Sequence, residues 1–252
     1  MIKRIIKNFL NKKGWINKNE LSDSKFKFSQ LHILLFCLHK EITTIIQIGA
    51  NDGVWNDPIN KFIETHDKKI IYLGFEPQIN PFEKLKQNYS SFENFYFINE
   101  CVGKECDFSF YILNQKFIDY CKKNNINTSY GINSLVKENL RKRIIKYHSN
   151  PDDYIDNYTV KVRPLKNAIE THYLENLNKF INLDLLQIDT EGYDDEVIYN
   201  SSIDFFKPKY INFESKNLTE IQLKNLINFL KKKNYRTIKW KTSDTLAVRL
   251  TQ

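Results

Sequence analysis

The stretch Thr44–Pro58, TIIQIGANDGVWNDP, decides the fold class. A run of mostly β-branched residues, which favours a strand, ends at Gly49. Asp57-Pro58 then has the pattern of a helix N-cap followed by a proline at the first helical position. The stretch therefore predicts a strand, a loop and a helix that continues to about residue 68.

The same alternation continues along the chain. Strands are predicted at residues 43–48, 69–75, 95–99, 107–112, 158–163, 183–188 and 209–213, and further helices at about 80–89, 134–148, 166–180 and 220–233. Strands alternating with helices at this spacing predict an α/β fold, with a parallel sheet and helices on both of its faces. The last two strand patterns, 235–240 and 245–250, flank a short turn and predict an antiparallel hairpin.

The composition is that of a folded α/β protein. Of 252 residues, 41% are hydrophobic and 14% are aromatic, and glycine and proline are scarce, which excludes a disordered or fibrous chain. No apolar run approaches the roughly 18–20 residues of a membrane span, and no signal-peptide pattern opens the chain. The four cysteines form no C-x-x-C pattern, which indicates reduced thiols rather than a metal site. We therefore expect a cytoplasmic protein.

The charge is strongly positive and is concentrated at the N-terminus. A net charge of +8 suggests contact with an anionic partner, such as nucleic acid or a membrane surface, or a solvated basic face. Residues 1–18 have apolar residues at helical spacing and basic residues between them. Such a helix either lies on an anionic membrane, here its inner face, or packs on the domain with its lysines in water. We predict an N-terminal helical extension over residues 1–42 and one domain over 43–252.

Two glycines follow the first predicted strand. Gly49 and Gly53 have Asn51 and Asp52 between them, so polar groups stand beside a backbone that lacks side-chain bulk. In open α/β sheets, ligands bind beyond the carboxyl ends of the strands. A glycine there lets a ligand approach the main chain closely. The G-x-x-x-G spacing differs from the G-x-G-x-x-G of pyrophosphate-binding turns, which disfavours a dinucleotide.

Glu76 ends the second predicted strand, 23 positions after Gly53. A carboxylate in this place can accept both hydrogen bonds of a ribose 2′,3′-diol, as in dinucleotide enzymes. The alternative is a solvated strand-end carboxylate. A nucleoside without a pyrophosphate fits both the glycines and Glu76, and S-adenosylmethionine is the commonest such cofactor.

Further acidic residues follow two later strands. Asp189 and Glu191 come directly after the apolar strand 183–188, and Glu214 ends the strand that follows it. Because the carboxyl ends of parallel strands meet at one edge, these carboxylates are expected near the reactive part of the ligand. The acids at 194–196 open a helix, where we expect them to cap it and to be solvated.

The motifs together resemble a known family. IGANDG (48–53), FEP (75–77), GINSL (131–135), DLLQIDTEGYDDEV (184–197) and INFE (211–214) occur in the order seen in FkbM-type methyltransferases. The resemblance covers roughly residues 43–250. It implies a Rossmann-like class I fold, with seven strands of which the last is antiparallel, and S-adenosylmethionine-dependent methylation, mostly of hydroxyls on sugars or natural products. Gln47 departs from the family, which usually has aspartate there, and residues 165–167 read Leu-Lys-Asn where the family often has Leu-Asp-Asp.

The resemblance also suggests roles for particular residues. The expected cofactor contacts are Gln47, Gly49, Asn51, Asp52, Gly53, Glu76, Cys101 and Val102, the last two beside the adenine. Asp189 is the first candidate for a general base, followed by Glu214 and Glu191, and Asp189 with Glu214 could instead hold Mg²⁺. Glu191 could equally belong to a structural turn. Ser134 either faces the substrate or caps the following helix.

Three functions stay open from the sequence. The first is an O-methyltransferase that acts on a glycan or a small molecule. The second is an RNA methyltransferase, suggested by the charge, but the sequence has no recognisable RNA-binding module, so no nucleic-acid partner is expected. The third is an inactive nucleoside-binding scaffold, for which Gln47 is the best argument.

Overall fold

A computed structural model of the chain describes residues 42–55, 57, 59–65, 69–126, 134–239 and 244–250. The predicted N-terminal extension and its basic helix lie outside the described residues, apart from Ile42. No helix in the described part of the chain is long and apolar enough to cross a membrane.

Strands and helices alternate as the sequence predicts. The strands are β1 (Thr44–Ile48), β2 (Ile71–Phe75), β3 (Phe95–Ile98), β4 (Cys101–Val102), β5 (Cys106–Leu113), β6 (Ile155–Arg163), β7 (Leu185–Ile188), β8 (Tyr210–Glu214), β9 (Tyr235–Lys239) and β10 (Asp244–Arg249). The helices are α1 (Asn60–Thr65), α2 (Ile79–Asn88), α3 (Gln115–Lys123), α4 (Lys137–Ile144), α5 (Leu165–Tyr173), α6 (Asp194–Tyr199), α7 (Ile203–Phe206) and α8 (Glu220–Lys232). Two 3₁₀ helices cover Pro151–Tyr154 and Leu174–Phe180.

The main sheet has seven strands in the order β3-β2-β1-β7-β8-β10-β9. Every neighbouring pair is parallel except those that involve β10, which runs antiparallel to both β8 and β9. The predicted parallel sheet with a C-terminal antiparallel hairpin is therefore confirmed. This is the arrangement that the class I resemblance implies.

Both faces of the sheet are buried, which explains the nearly continuous apolar strands. Successive side chains of β1 alternate between two cores: Ile46 and Ile48 pack in one, and Ile45 packs in the other against Phe62 and Tyr72. Because β1, β2, β7 and β8 are parallel, their carboxyl ends lie at one edge of the sheet, where the candidate site is found.

A second sheet was not foreseen. Strands β4, β6 and β5 form a three-stranded sheet beside the main one, with β5 and β6 antiparallel. Helix α3 was also missed. The helix expected over 134–148 forms only at Lys137–Ile144, because Ser134 exchanges backbone hydrogen bonds with Tyr111.

Candidate active site

A cavity of about 570 Å³ opens at the carboxyl edge of the main sheet. Its walls come from the ends of β1, β2 and β7, from β4, and from residues of β5 and α6. The lining residues predicted from sequence are Gly49, Asn51, Glu76, Cys101, Val102, Asp189 and Glu191. The strand-end positions that the sequence suggested are thus brought together around one space.

Glu76 is held by backbone amides at one end of this cavity. One carboxylate oxygen accepts from the Asn51 N–H and the other from the Gln78 N–H, each at 2.9 Å. The residue is only 3% exposed, and burial raises its pKa to about 7 against the pull of these two hydrogen bonds. Because a carboxylate oxygen can accept more than one hydrogen bond, both oxygens keep capacity for a ligand diol.

The two loop glycines make room for protein atoms rather than directly for a ligand. A Cβ on Gly49 would lie 2.0 Å from the backbone oxygen of Asp189, and one on Gly53 would lie 2.6 Å from Leu85 Cδ1. Both have positive φ, +80° and +73°. Gly49 still lines the cavity, whereas Gly53 does not. These glycines allow the loop to pack against β7 and α2, and thereby shape the site.

Gln47 and Asp52 do not line the cavity. The Gln47 side chain lies on the other face of β1, where its amide donates to Asp57 (3.0 Å) and accepts from the Tyr72 hydroxyl (2.9 Å). Asp52 instead accepts from the backbone N–H groups of Val54 and Trp55, which fixes the loop. Gln47 lies on the face of β1 opposite to the cavity because side chains on a strand alternate between faces.

Three carboxylates meet beside the cavity at the ends of β7 and β8; Asp189 and Glu191 line the cavity, and Glu214 lies behind them without lining it. Asp189, Glu191 and Glu214 each place an oxygen within 4.8 Å of the other two. The Asp189 side chain is exposed where it opens on the cavity, but protein atoms crowd its carboxyl group. This desolvation, followed by the charge of Glu214, raises its pKa above its ordinary value. Among the described residues, none donates a hydrogen bond to it.

Glu191 and Glu214, by contrast, are already paired. Glu191 accepts from Arg143 (2.9 Å) and from Asn217 (3.0 Å). Glu214 pairs with Lys216 and accepts from Asn217 at 2.6 Å. The site thus combines one carboxyl group that receives no hydrogen bond from the described residues with two that form ion pairs with neighbouring cations.

Residues 47–237 match the sequence profile of the Methyltransferase FkbM domain. The chain belongs to this family. It is therefore an S-adenosylmethionine-dependent methyltransferase. The cavity lies at the carboxyl edge of the sheet, where open α/β folds in general bind their ligands. No curated protein matches it.

Solved structures of methyltransferases have a similar chain fold at low identity. SAH-bound PaMTH1 from Podospora anserina is 9% identical, with 92% of this chain and 82% of that chain covered and a TM-score of 0.49. A Staphylococcus aureus protein proposed to be a caffeoyl-CoA O-methyltransferase is 11% identical, with 98% and 91% covered and a TM-score of 0.46. The METTL16 MTase domain is 9% identical, with 88% and 67% covered and a TM-score of 0.43.

Two further predicted residues of this FkbM methyltransferase have structural explanations. Ser134 is buried and accepts from the Val136 N–H (3.0 Å), and its hydroxyl donates to the Glu191 backbone oxygen (3.2 Å). It does not line the cavity, whereas the adjacent Leu135 does. Glu191 has positive φ (53°), so Ser134 supports a tight turn beneath the carboxylate cluster. Glu191 therefore has two functions: its backbone forms the turn, and its side chain lines the cavity.

The sequence reading missed two acidic residues. Glu100 of the FkbM methyltransferase lines the cavity, 7% exposed, with one carboxylate oxygen facing Arg163 (3.3 Å) and His172 (3.1 Å). Glu100 comes directly after the third predicted strand, and this strand-end position could have identified it from the sequence. Asp194 was expected to be solvated but is fully buried, because it accepts from the Thr190 hydroxyl (2.8 Å) and the Glu214 N–H (3.0 Å).

Proposed function

We propose that the protein methylates a hydroxyl group on a sugar, a glycan or another small molecule. The observation that carries this proposal is the carboxyl of Asp189, which lies at the end of β7 on the cavity wall and receives no hydrogen bond from the described residues. A hydroxyl needs a proton acceptor to become a good nucleophile. Among the described carboxyl groups that line the cavity, Asp189 is the one that receives no hydrogen bond at either oxygen.

The cavity offers a matching set of contacts for the cofactor. Glu76 would accept hydrogen bonds from the ribose diol, and Cys101 and Val102 would pack beside the adenine. Both are buried apolar neighbours, and burial also raises the pKa of the Cys101 thiol, which keeps it neutral. When bound, S-adenosylmethionine would supply an electrophilic methyl group: the sulfur–methyl bond would break as the hydroxyl oxygen takes up the methyl and loses its proton, and S-adenosylhomocysteine would leave.

Asp189 would receive that proton. Its raised pKa makes it a stronger base than an ordinary aspartate, provided that it is ionised. The nearby charges of Glu214 and Glu191 favour proton uptake, since protonation relieves the repulsion among the three carboxylates. Methylation should therefore become faster as the pH rises through the pKa of Asp189.

Magnesium is the second way to activate the hydroxyl. The three carboxylate oxygens are close enough to ligate one hard cation. Lys216 and Arg143 already pair with two of them, so a metal would have to displace these ion pairs. We therefore favour Asp189 as a general base that acts without a metal. The alternative is that Asp189 and Glu214 bind Mg²⁺.

The test is formation of S-adenosylhomocysteine with a panel of sugar and small-molecule acceptors, measured with EDTA and with Mg²⁺. We expect turnover with at least one hydroxyl acceptor, persistence in EDTA and loss in Asp189→Asn. Turnover that requires Mg²⁺ would assign Asp189 to metal binding instead. Methylation only of nitrogen or carbon acceptors would contradict the proposal.

A further inference from the structure

An open cleft of about 1460 Å³ lies beside the carboxylate cluster. It is bounded by α3, by α4 with the turn after it, and by the loop between β8 and α8. Four basic residues line it: Lys142, Arg143, Lys146 and Lys216. No acidic residue is among the described residues that line it, so its potential is positive.

This cleft adjoins the cofactor cavity and is separated from it by the Glu191 carboxylate and its hydrogen-bond partners. Arg143 and Asn217 line the cleft and donate hydrogen bonds to the Glu191 carboxylate, while Glu191 itself lines the cavity. Lys216 likewise lines the cleft and pairs with Glu214. A molecule in the cleft would therefore be separated from Asp189 by one side chain, that of Glu191. The hydroxyl group to be methylated has to extend past this side chain to Asp189.

The four cations differ in what they already bind. Arg143 and Lys216 are used by the carboxylates. Lys142 and Lys146 are exposed and have no ion-pair partner within the described residues. Elsewhere on α4, Lys137 is paired with Asp152 at 2.7 Å, so this helix does not lack acidic neighbours in general.

Aromatic residues complete the cleft. Phe117 and Tyr147 both line it, with ring centroids 6.3 Å apart, and Tyr147 is 45% exposed. An exposed aromatic face provides an apolar surface with a polar tip, which suits the nonpolar face of a sugar ring. The cleft thus offers two free ammonium groups next to an aromatic wall.

We propose that this cleft binds the methyl acceptor and that the acceptor is an anionic sugar, with a phosphate or carboxylate group held by Lys142 and Lys146. This inference rests on the proposed function and specifies its substrate class. A second opening also borders the cavity, but its lining has one lysine, Lys84, against Asp52 and Asp156, which makes it a poorer place for an anion.

The test uses the full chain saturated with S-adenosylhomocysteine and titrated with glucose, glucose 6-phosphate and glucuronate at low ionic strength. We expect at least one anionic sugar to bind about tenfold more tightly than glucose, and Lys142→Ala/Lys146→Ala to remove that advantage. Which of the two anionic sugars binds with higher affinity tells whether the cleft prefers a phosphate or a carboxylate. Lys231→Ala/Lys232→Ala, with the same charge change on exposed residues of α8, should bind like the wild type.

Three results would overturn the inference. They are equal binding of glucose and both anionic sugars, no binding of either anionic sugar at millimolar concentration, and unchanged affinity in the Lys142/Lys146 variant. A single-stranded RNA that binds more tightly than the sugars through the same lysines would also overturn it, in favour of nucleic acid. If S-adenosylhomocysteine itself fails to bind, the proposed function fails first, so the two failures are distinguishable.

Discussion

The carboxyl groups at the ends of β2 and β7 have different surroundings: Glu76 is buried, whereas Asp189 is exposed on the cavity. At the end of β2, Glu76 receives two backbone N–H groups. At the end of β7, the carboxyl of Asp189 receives no hydrogen bond from the described residues and faces the charges of Glu214 and Glu191. Desolvation by neighbouring protein atoms is the largest cause of the raised pKa at both carboxyl groups.

This difference in surroundings suits Glu76 to cofactor binding and Asp189 to the chemical step. Backbone donors fix the orientation of Glu76 and favour its charged form, so it is suited to hold a diol. Like charges make Asp189 favour proton uptake, so it is suited to act as a base. One sheet edge therefore presents both a rigid ligand contact and a reactive group.

The largest expected effect comes from removing the base. Asp189→Asn should lower kcat about 10²–10⁴-fold, because the acceptor proton loses its carboxylate. Affinity for S-adenosylmethionine, measured by calorimetry, should change little. The exposed Asp107→Asn serves as the matched control and should be fully active. Equal kcat values for the Asp189 and Asp107 variants would contradict the assigned difference between the ends of β2 and β7.

The close approach of β1 to β7 provides the next largest effect. Gly49→Ala should lower the free energy of unfolding by about 2–4 kcal/mol, because the methyl group would collide with the Asp189 backbone oxygen and φ is +80°. Urea denaturation measures this loss. A variant as stable as the wild type would show that the loop can move away from β7, and that the ends of β1 and β7 are not rigidly connected.

The sequence predicted the sheet and most of the cavity, because the signals are local. Strand periodicity and the acids that end each strand placed Glu76, Asp189 and Glu214 at one edge. The face on which Gln47 lies could not be deduced, since it depends on Asp57 and Tyr72 across the fold. The β5–β6 sheet was likewise hidden, because its strands lie far apart in sequence.

The pH dependence of stability provides a third carboxyl group for the comparison, that of Asp57, which lies on the face of β1 opposite to the cavity. Burial raises the pKa of Asp57 to about 7, so between about pH 4 and pH 7 the folded state holds a proton that the unfolded state has released. This group therefore stabilises the fold at low pH, and its contribution is lost as the pH rises towards 7. Relative to the wild type, Asp57→Asn should be more stable at pH 8 than at pH 5 by about 1–3 kcal/mol. Thermal unfolding that gives the same difference at both pH values would contradict this.

A smaller effect tests how the loop is held. The Tyr89 hydroxyl donates to the Gly53 backbone oxygen at 2.6 Å, so Tyr89→Phe should cost about 1 kcal/mol of stability. It should also weaken cofactor binding slightly, since this loop carries Asn51. Tyr235→Phe is the control, because its hydroxyl donates to Pro208 at the same 2.6 Å, away from the cavity. Urea denaturation and calorimetry on both variants separate stability from binding.

Calorimetric titration with S-adenosylmethionine tests the central claim most directly. Wild type and Asp189→Asn should both bind, whereas Glu76→Ala should lose at least about tenfold in affinity, because it removes both acceptor oxygens at the diol. Circular dichroism on the same samples establishes that the variant is folded. Undiminished affinity in folded Glu76→Ala, or no binding by the wild type, would contradict the account of the cavity.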